Sequence, residues 1–194
     1  GSAGTQVGPR VAGLATELKH RFGASYRKTA DLLRDALGFA VSAGGLVGIG
    51  RRMAQRLAPT LDQLTHDMRR AAVVHADETG WPLCGGNGWL WAFAAIDTVI
   101  YKIRPTRESD VVRETLVIGE NSSCPESPED SGFQGVLSSD GYIAYDSLGL
   151  EDDQRQQCLG HILRRAADLR NALTGIAVRF SLAVLELFRD AIAV

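Results

Sequence analysis

The spacing of apolar residues predicts a helical first third of the chain. Apolar side chains recur there every three or four positions, as in the stripe formed by Tyr26, Ala30, Leu33 and Leu37, and this period is that of an amphipathic helix. The predicted helices span residues 9–22, 25–38 and 42–69. Pro59 predicts a kink or a restart within the third helix, because proline removes one backbone hydrogen bond.

From Val73 onward the pattern changes to short apolar runs of strand length, separated by turn residues such as Gly85 and Gly86. The predicted strands span residues 73–76, 89–95, 99–103, 136–139 and 156–159. The predicted helices span residues 109–117 and 161–173, with a short helix or turn at 142–148 and an acidic loop at 119–132. This order predicts an α/β fold with a mixed sheet and flanking helices.

The net charge of −2 conceals an uneven distribution. Residues 1–72 hold 11 Lys and Arg against 5 Asp and Glu, whereas residues 73–194 hold 10 against 18. A basic region joined to an acidic one suits a module that binds nucleic-acid phosphate joined to one that binds cations. The helix, glycine-containing turn, serine cap and helix of residues 25–69 also have the outline of a helix-turn-helix.

Candidate DNA-binding residues lie near the start of the second helix and on the third. They are Arg27, Lys28, Arg51, Arg52 and Arg56. Cationic side chains on helices often contact DNA phosphates, which is the functional interpretation. The same pattern also fits a solvated helix surface, or a helical region that packs against a partner subunit.

Other features argue against a membrane or secreted protein. No apolar run approaches the ~20 residues that a membrane-spanning helix needs. The first residues lack the basic and then apolar pattern of a secretory signal. Cys84, Cys124 and Cys158 are odd in number and widely spaced, which favours reduced thiols over a disulfide framework. We therefore expect a cytoplasmic protein.

Two of the predicted strands lead directly to an aspartate. The strand at 73–76 leads to Asp77, and the strand at 136–139 leads to Asp140, which Gly141 follows. If the two strands are neighbours, both carboxylates reach one cation, and Gly141 lets the backbone turn beside it. The alternative is that each aspartate only caps a helix or forms a turn.

Four segments of the chain resemble one known family. HADETGW, NGWLWAFA, SDGYIAYD and QCLGHILR are similar to segments of the IS66 family of bacterial insertion-sequence transposases, and the resemblance covers residues 8–170. It implies a ribonuclease-H-like core, whose element order is the one predicted above, with a DDE metal site. It also implies that Asp77 and Asp140 are catalytic and bind Mg²⁺ or Mn²⁺. The implied partner is transposon-end DNA, bound by a homo-oligomer associated with the nucleoid.

The expected domains follow from the pattern and the resemblance together. They are a helix-turn-helix-like DNA-binding region at 1–70, an incomplete ribonuclease-H-like core at 71–172 and the start of a helical insertion at 173–194. The family's third acid is a glutamate beyond an Asn pair, and this sequence has no such pair, so we expect that the chain alone does not transpose. Asp168 is a weaker candidate for that role. The alternatives are a non-catalytic DNA-binding remnant and a regulatory partner of a full-length transposase.

Two further motifs lie near the aspartates. His75 is two residues before Asp77 and shares its side of the strand, where it either supports a metal ligand or forms a structural hydrogen bond. Cys158 and His161 form a Cys-x-x-His motif, but a zinc site needs four ligands and no second pair stands out. The family resembled here has a similar motif, usually with Trp and Ala between the two residues, where this chain has Leu and Gly.

Overall fold

The computed structural model describes residues 7–83, 85–117 and 132–192. The chain divides into two compact units, Gly1–Gln63 and Leu64–Val194, with the boundary inside a long helix. The acidic loop predicted at 119–132 lies outside the described residues, apart from Gly132.

Three helices begin in the first unit, and serine and glycine residues set their ends. They are α1 (Pro9–His20), α2 (Tyr26–Leu37) and α3 (Ala43–Arg69). The Ser25 hydroxyl accepts a hydrogen bond from the Lys28 amide at 3.2 Å and caps α2. Gly38 ends α2 in the left-handed conformation, with φ 63°. The Ser42 hydroxyl accepts a hydrogen bond from the Gly45 amide at 3.0 Å and caps α3.

An apolar core joins these helices. Its buried members are Ala12, Ala15, Leu33, Leu46 and Ile49. The helical period found in the sequence therefore marks the faces that pack together. α3 continues on both sides of Pro59, so the predicted restart is wrong. One lost backbone hydrogen bond does not end a helix whose flanking turns are built from good helix formers.

The second unit is built on a five-stranded mixed sheet. Its strands are β1 (Val73–Gly80), β2 (Trp89–Ala94), β3 (Val99–Arg104), β4 (Val136–Ser139) and β5 (Arg155–Gln157). Their order across the sheet is β3-β2-β1-β4-β5. β1 and β3 run antiparallel to β2, whereas β4 runs parallel to β1 and β5 parallel to β4. The predicted α/β class with a mixed sheet is confirmed, and it is consistent with the ribonuclease-H-like core that the resemblance implies.

β1 is longer than the sequence predicted. It extends past Ala76 to Gly80, because its second half continues to pair with β2, up to Gly80 opposite Trp89. Its ladder with β4 ends earlier, at His75 opposite Ser138. Asp77 therefore still pairs with β2, opposite Ala92, but lies beyond the last residue of β1 that pairs with β4.

Four further α-helices accompany the sheet in the described residues, and the first of them packs on one face of it. They are α4 (Asp110–Leu116), α5 (Ile143–Asp146), α6 (Leu159–Ala172) and α7 (Val178–Ile192). The main core contains Val74 and Ala76 of β1, Trp91 and Phe93 of β2, Ile100, Leu137, and Val111, Val112 and Leu116 of α4. In β1 the buried positions alternate with exposed ones, as expected of a strand with one covered face. Within the described ranges, no helix combines the length and the apolar character that crossing a membrane requires.

Candidate active site

The register between β1 and β4 relates the positions of Asp77 and Asp140. Val73, Val74 and His75 pair with Val136, Leu137 and Ser138. Asp77 and Asp140 each lie two residues after the last of these pairs, at equivalent positions beyond the ladder. Alternation along β1 directs the Asp77 side chain away from the face that carries Val74. β1 and β4 are therefore neighbours, which is the condition that the sequence set for a shared cation.

Asp77 lies on the solvent-accessible side of β1. Its side chain is 60% exposed, and its Oδ2 is 3.9 Å from His161 Nε2 in the first turn of α6. Its Oδ1 accepts a hydrogen bond from the Glu78 amide at 3.0 Å. His161 Nδ1 is buried and has no hydrogen-bond partner among the described residues. His75 is exposed, as Asp77 is, and alternation along β1 puts both on one side.

Asp140 lies in a tight turn between β4 and α5. Its Oδ1 accepts a hydrogen bond from the Tyr142 amide at 2.9 Å. A Cβ atom on Gly141 would be 3.2 Å from Arg165 Nη1, so the arginine of α6 approaches the backbone of this turn closely. A polar cleft of about 370 Å³ opens beside Asp140. The cleft is lined by Ser139, Asp140, Gly141, Asp146, Asp152, Arg155, Gln156 and Gln157.

A second acidic residue of β1, Glu78, has a different environment. Its side chain is 0% exposed, and Oε1 lies 2.6 Å from Arg107 Nη2 and 2.8 Å from Arg107 Nε. Its Oε2 accepts a hydrogen bond from the Tyr145 hydroxyl at 2.6 Å. The Arg107 guanidinium lies 3.7 Å from the ring centre of Tyr142 and 4.8 Å from that of Trp89. We call Glu78, Arg107 and Tyr145 the buried trio, after the buried side chains of Glu78 and Tyr145; Arg107 itself is 32% exposed. The sequence patterns did not predict it.

The charges around the trio keep Tyr145 and Arg107 protonated, so that both donate hydrogen bonds to Glu78. Burial raises the pKa of the Tyr145 hydroxyl, and the hydrogen bond to Glu78 and the negative charges of Glu78, Asp140 and Asp77 raise it further. Tyr145 therefore stays protonated and donates. Burial lowers the pKa of Arg107, but its hydrogen bond and attraction to Glu78 outweigh this effect, so the pKa is raised overall. Arg107 therefore stays charged.

The donor set of the two aspartates suits a hard divalent cation. Each carboxylate has one backbone amide on Oδ1 and retains the capacity to bind a cation. Mg²⁺ commonly takes one or two protein carboxylates and completes its shell with water or substrate oxygens. In the described part of the chain, no three or more His, Cys, Asp or Glu side chains form a group that could hold a metal. Asp168 is exposed on α6.

The five candidate DNA-binding residues all lie in the first unit. Arg27, Lys28, Arg51, Arg52 and Arg56 are exposed, and the described structure contains no ion pair formed by any of them. A Cβ atom on Gly50 would be 3.5 Å from the Tyr26 hydroxyl, so the first residue of α2 approaches the first half of α3. The basic residues that follow Tyr26 and Gly50 in sequence are therefore brought to one region of this unit.

Comparison with known proteins agrees with this fold. A family model described as "Transposase IS66 family" matches residues 4–191, nearly the whole chain. The mixed sheet with its helices is thus that of a transposase domain, and the resemblance of the four segments is confirmed. The chain belongs to the transposase IS66 family.

One curated relative carries no functional description. It is an uncharacterized protein, y4qI, of Sinorhizobium fredii (strain NBRC 101917 / NGR234), with 29% identity over 84% of this chain and 32% of its own length. The chain therefore spans about a third of that relative.

Proposed function

We propose that the second unit supplies two metal-binding carboxylates, Asp77 and Asp140, to an insertion-sequence transposase site that cuts and joins DNA. The register of β1 and β4 is the observation that carries this proposal, because each aspartate lies two residues after the last pair of the same ladder. The family match supports a transposase role. A transposase acts on DNA, so the proposed setting is the bacterial nucleoid.

The chemistry of the site follows from its charges. Two carboxylates about 4 Å apart repel each other by about 4 kcal/mol at an effective dielectric constant of 20. A divalent cation held by Asp77 and Asp140 offsets this repulsion, and Mg²⁺ or Mn²⁺ would activate the attacking oxygen and stabilise the leaving oxygen. The backbone amides of Glu78 and Tyr142 hold the two carboxylates in place.

We further propose that the first unit binds DNA through its exposed basic residues. Unpaired cations release condensed counterions when they neutralise phosphates, and this release drives association with DNA. Arg27 and Lys28 in the first turn of α2, with Arg51, Arg52 and Arg56 on α3, supply these cations. They favour a second candidate function, a DNA-binding protein without cleavage.

Calorimetric titration with Mn²⁺ tests the metal site. The wild-type chain is expected to bind Mn²⁺, and the double variant Asp77→Asn with Asp140→Asn is expected to lose binding, because the amides keep the shape but remove both charges. Asp97→Asn serves as the matched control, since Asp97 is exposed at the β2–β3 turn and its carboxylate bonds to the Thr98 hydroxyl. Equal Mn²⁺ binding by the double variant and the wild type would refute the site.

The same protein preparations separate the two candidate functions. DNA affinity without any Mn²⁺ binding would favour the DNA-binding protein without cleavage. We also propose that two carboxylates are insufficient for strand transfer, so that the purified chain does not transpose by itself. Metal-dependent strand transfer by the purified 194-residue chain would contradict this part.

A further inference from the structure

The buried trio connects the two segments that carry the aspartates. Glu78 directly follows Asp77 on β1, whereas Tyr145 lies on α5, directly after the Asp140 turn. One link is direct, from the Tyr145 hydroxyl to Glu78 Oε2 at 2.6 Å. The other runs through Arg107, which binds Glu78 Oε1 and lies 3.7 Å above the ring of Tyr142. The Tyr142 amide in turn donates to Asp140 Oδ1.

This trio lies on the opposite side of β1 from the proposed metal. Alternation along the strand puts Glu78 on the side of Val74 and Ala76, which belong to the core, and Asp77 on the other side. Both carboxylate oxygens of Glu78 are already engaged by Arg107 and Tyr145. Glu78 therefore does not serve as the missing third acid in this arrangement.

Stability alone does not explain a buried charge at this place. The Glu78 carboxylate is removed from water, which costs several kcal/mol, whereas Arg107 keeps 32% exposure; well-packed apolar residues often give equal or greater stability than such a pair. The trio fixes the orientation of the Glu78 carboxylate, since two arginine donors hold one of its oxygens and the Tyr145 hydroxyl holds the other. Such contacts behind metal ligands typically change metal affinity by about 10–100-fold.

We infer that Glu78, Arg107 and Tyr145 are positioning residues that hold the Asp140 turn against the Asp77 strand, so that both carboxylates meet one divalent cation. The expected effect on metal affinity rests on the proposed function, whereas the positioning of the Asp140 turn does not. Loss of one hydrogen bond of the trio would let the Asp140 turn move relative to β1.

Tyr145→Phe is the sharpest test, because it removes one hydroxyl and keeps the ring, which packs edge-on against Trp91 with 6.4 Å between centres. Thr115→Val is the matched control, since it also removes a fully buried hydroxyl, bonded at 2.6 Å to the Val111 carbonyl, within a helix of the same unit. Tyr145→Phe is expected to weaken Mn²⁺ binding about tenfold, whereas Thr115→Val leaves it unchanged. Thermal unfolding of both variants verifies that each is folded.

A second measurement does not require metal. NMR-detected hydrogen exchange of the Tyr142 amide, the donor to Asp140, is expected to be faster in Tyr145→Phe than in the wild type or in Thr115→Val. Arg107→Lys, which keeps the charge but loses the two-pronged contact with Glu78, is expected to act in the same direction. It also replaces Tyr145→Phe if that variant does not fold.

The outcomes distinguish the two proposals. If the wild type binds no Mn²⁺, the proposed function fails, and hydrogen exchange alone decides on the trio. If the wild type binds Mn²⁺ but Tyr145→Phe and Arg107→Lys match Thr115→Val in both affinity and exchange, the positioning role is refuted. The trio is then only a buried ion pair of the core.

Discussion

Gly135 shows how a single residue sets the position of the proposed metal site. A Cβ atom there would lie 2.4 Å from the Ala71 carbonyl oxygen and 2.6 Å from that of Ala72, and backbone atoms cannot rotate away as a side chain can. The next residue, Val136, donates its amide to the Ala72 carbonyl at 2.9 Å. Because this close approach precedes the first β1–β4 pair, it constrains the register on which the proposed pairing of Asp77 with Asp140 rests.

Gly135→Ala is therefore expected to lower both stability and Mn²⁺ affinity. Overpacking of this kind costs about 1–3 kcal/mol, measurable by urea unfolding, and relief of the clash would separate the two strands. Gly80→Ala is the control, since it also adds one methyl group to this sheet but meets no atom within 4 Å. Equal losses in the two variants would show that the close approach at Gly135 has no special role.

At the same scale, the sequence predicted the aspartates but not the trio. An aspartate after an apolar run is a local signal, so the sequence offers Asp77 and Asp140 as candidates. Glu78 meets Arg107 and Tyr145 across 29 and 67 positions of sequence, and no local pattern indicates such partners. One signal was available, because the period of two along β1 assigns Glu78 to the face of the core residues Val74 and Ala76.

At the scale of elements, the order of helices and strands was predictable because periodicity and turn residues are local properties. The ends of some strands were not, because they depend on distant partners. β1 continues to Gly80 only through its pairing with β2, and β5 consists of three exposed residues that carry almost no apolar signal. β5 also ends at Gln157 instead of Leu159, since Leu159 already belongs to α6.

In α3, a proline with low helix propensity lies inside a continuous helix. Pro59 lies far from both ends of this helix and is exposed. Pro59→Ala is expected to raise the free energy of unfolding by up to about 3 kcal/mol, because alanine restores a backbone hydrogen bond and removes the clash of the ring with the preceding turn. Urea unfolding followed by far-ultraviolet circular dichroism measures the change.

The control for this variant is its neighbour. Ala58→Gly is expected to lower stability by about 1 kcal/mol, since glycine is a poorer helix former than alanine at an exposed interior position. If Pro59→Ala leaves stability unchanged while Ala58→Gly lowers it, the proline causes no strain and the helix is adapted to it.

At the scale of the whole molecule, the two compact units carry opposite charge. Residues 1–63 hold 9 Lys and Arg against 4 Asp and Glu, whereas residues 64–194 hold 12 against 19. The small net charge of the chain thus hides one unit suited to phosphate and another suited to cations. This division was visible in the sequence, because charge can be counted without a fold.

The salt dependence of DNA binding tests this division in the full chain. Replacing Arg51, Arg52 and Arg56 by glutamine is expected to weaken binding to duplex DNA and to reduce the slope of log affinity against log salt by about 0.9 for each phosphate that the variant no longer neutralises. Arg34→Gln is the control, because the Arg34 guanidinium is exposed in the same unit but is already paired with Asp31 and Asp35. Pairing also raises the pKa of Arg34, so its charge is present but compensated. An unchanged slope in the triple variant would assign these arginines to solvated surface and would leave the DNA-binding role of this unit without its physical basis.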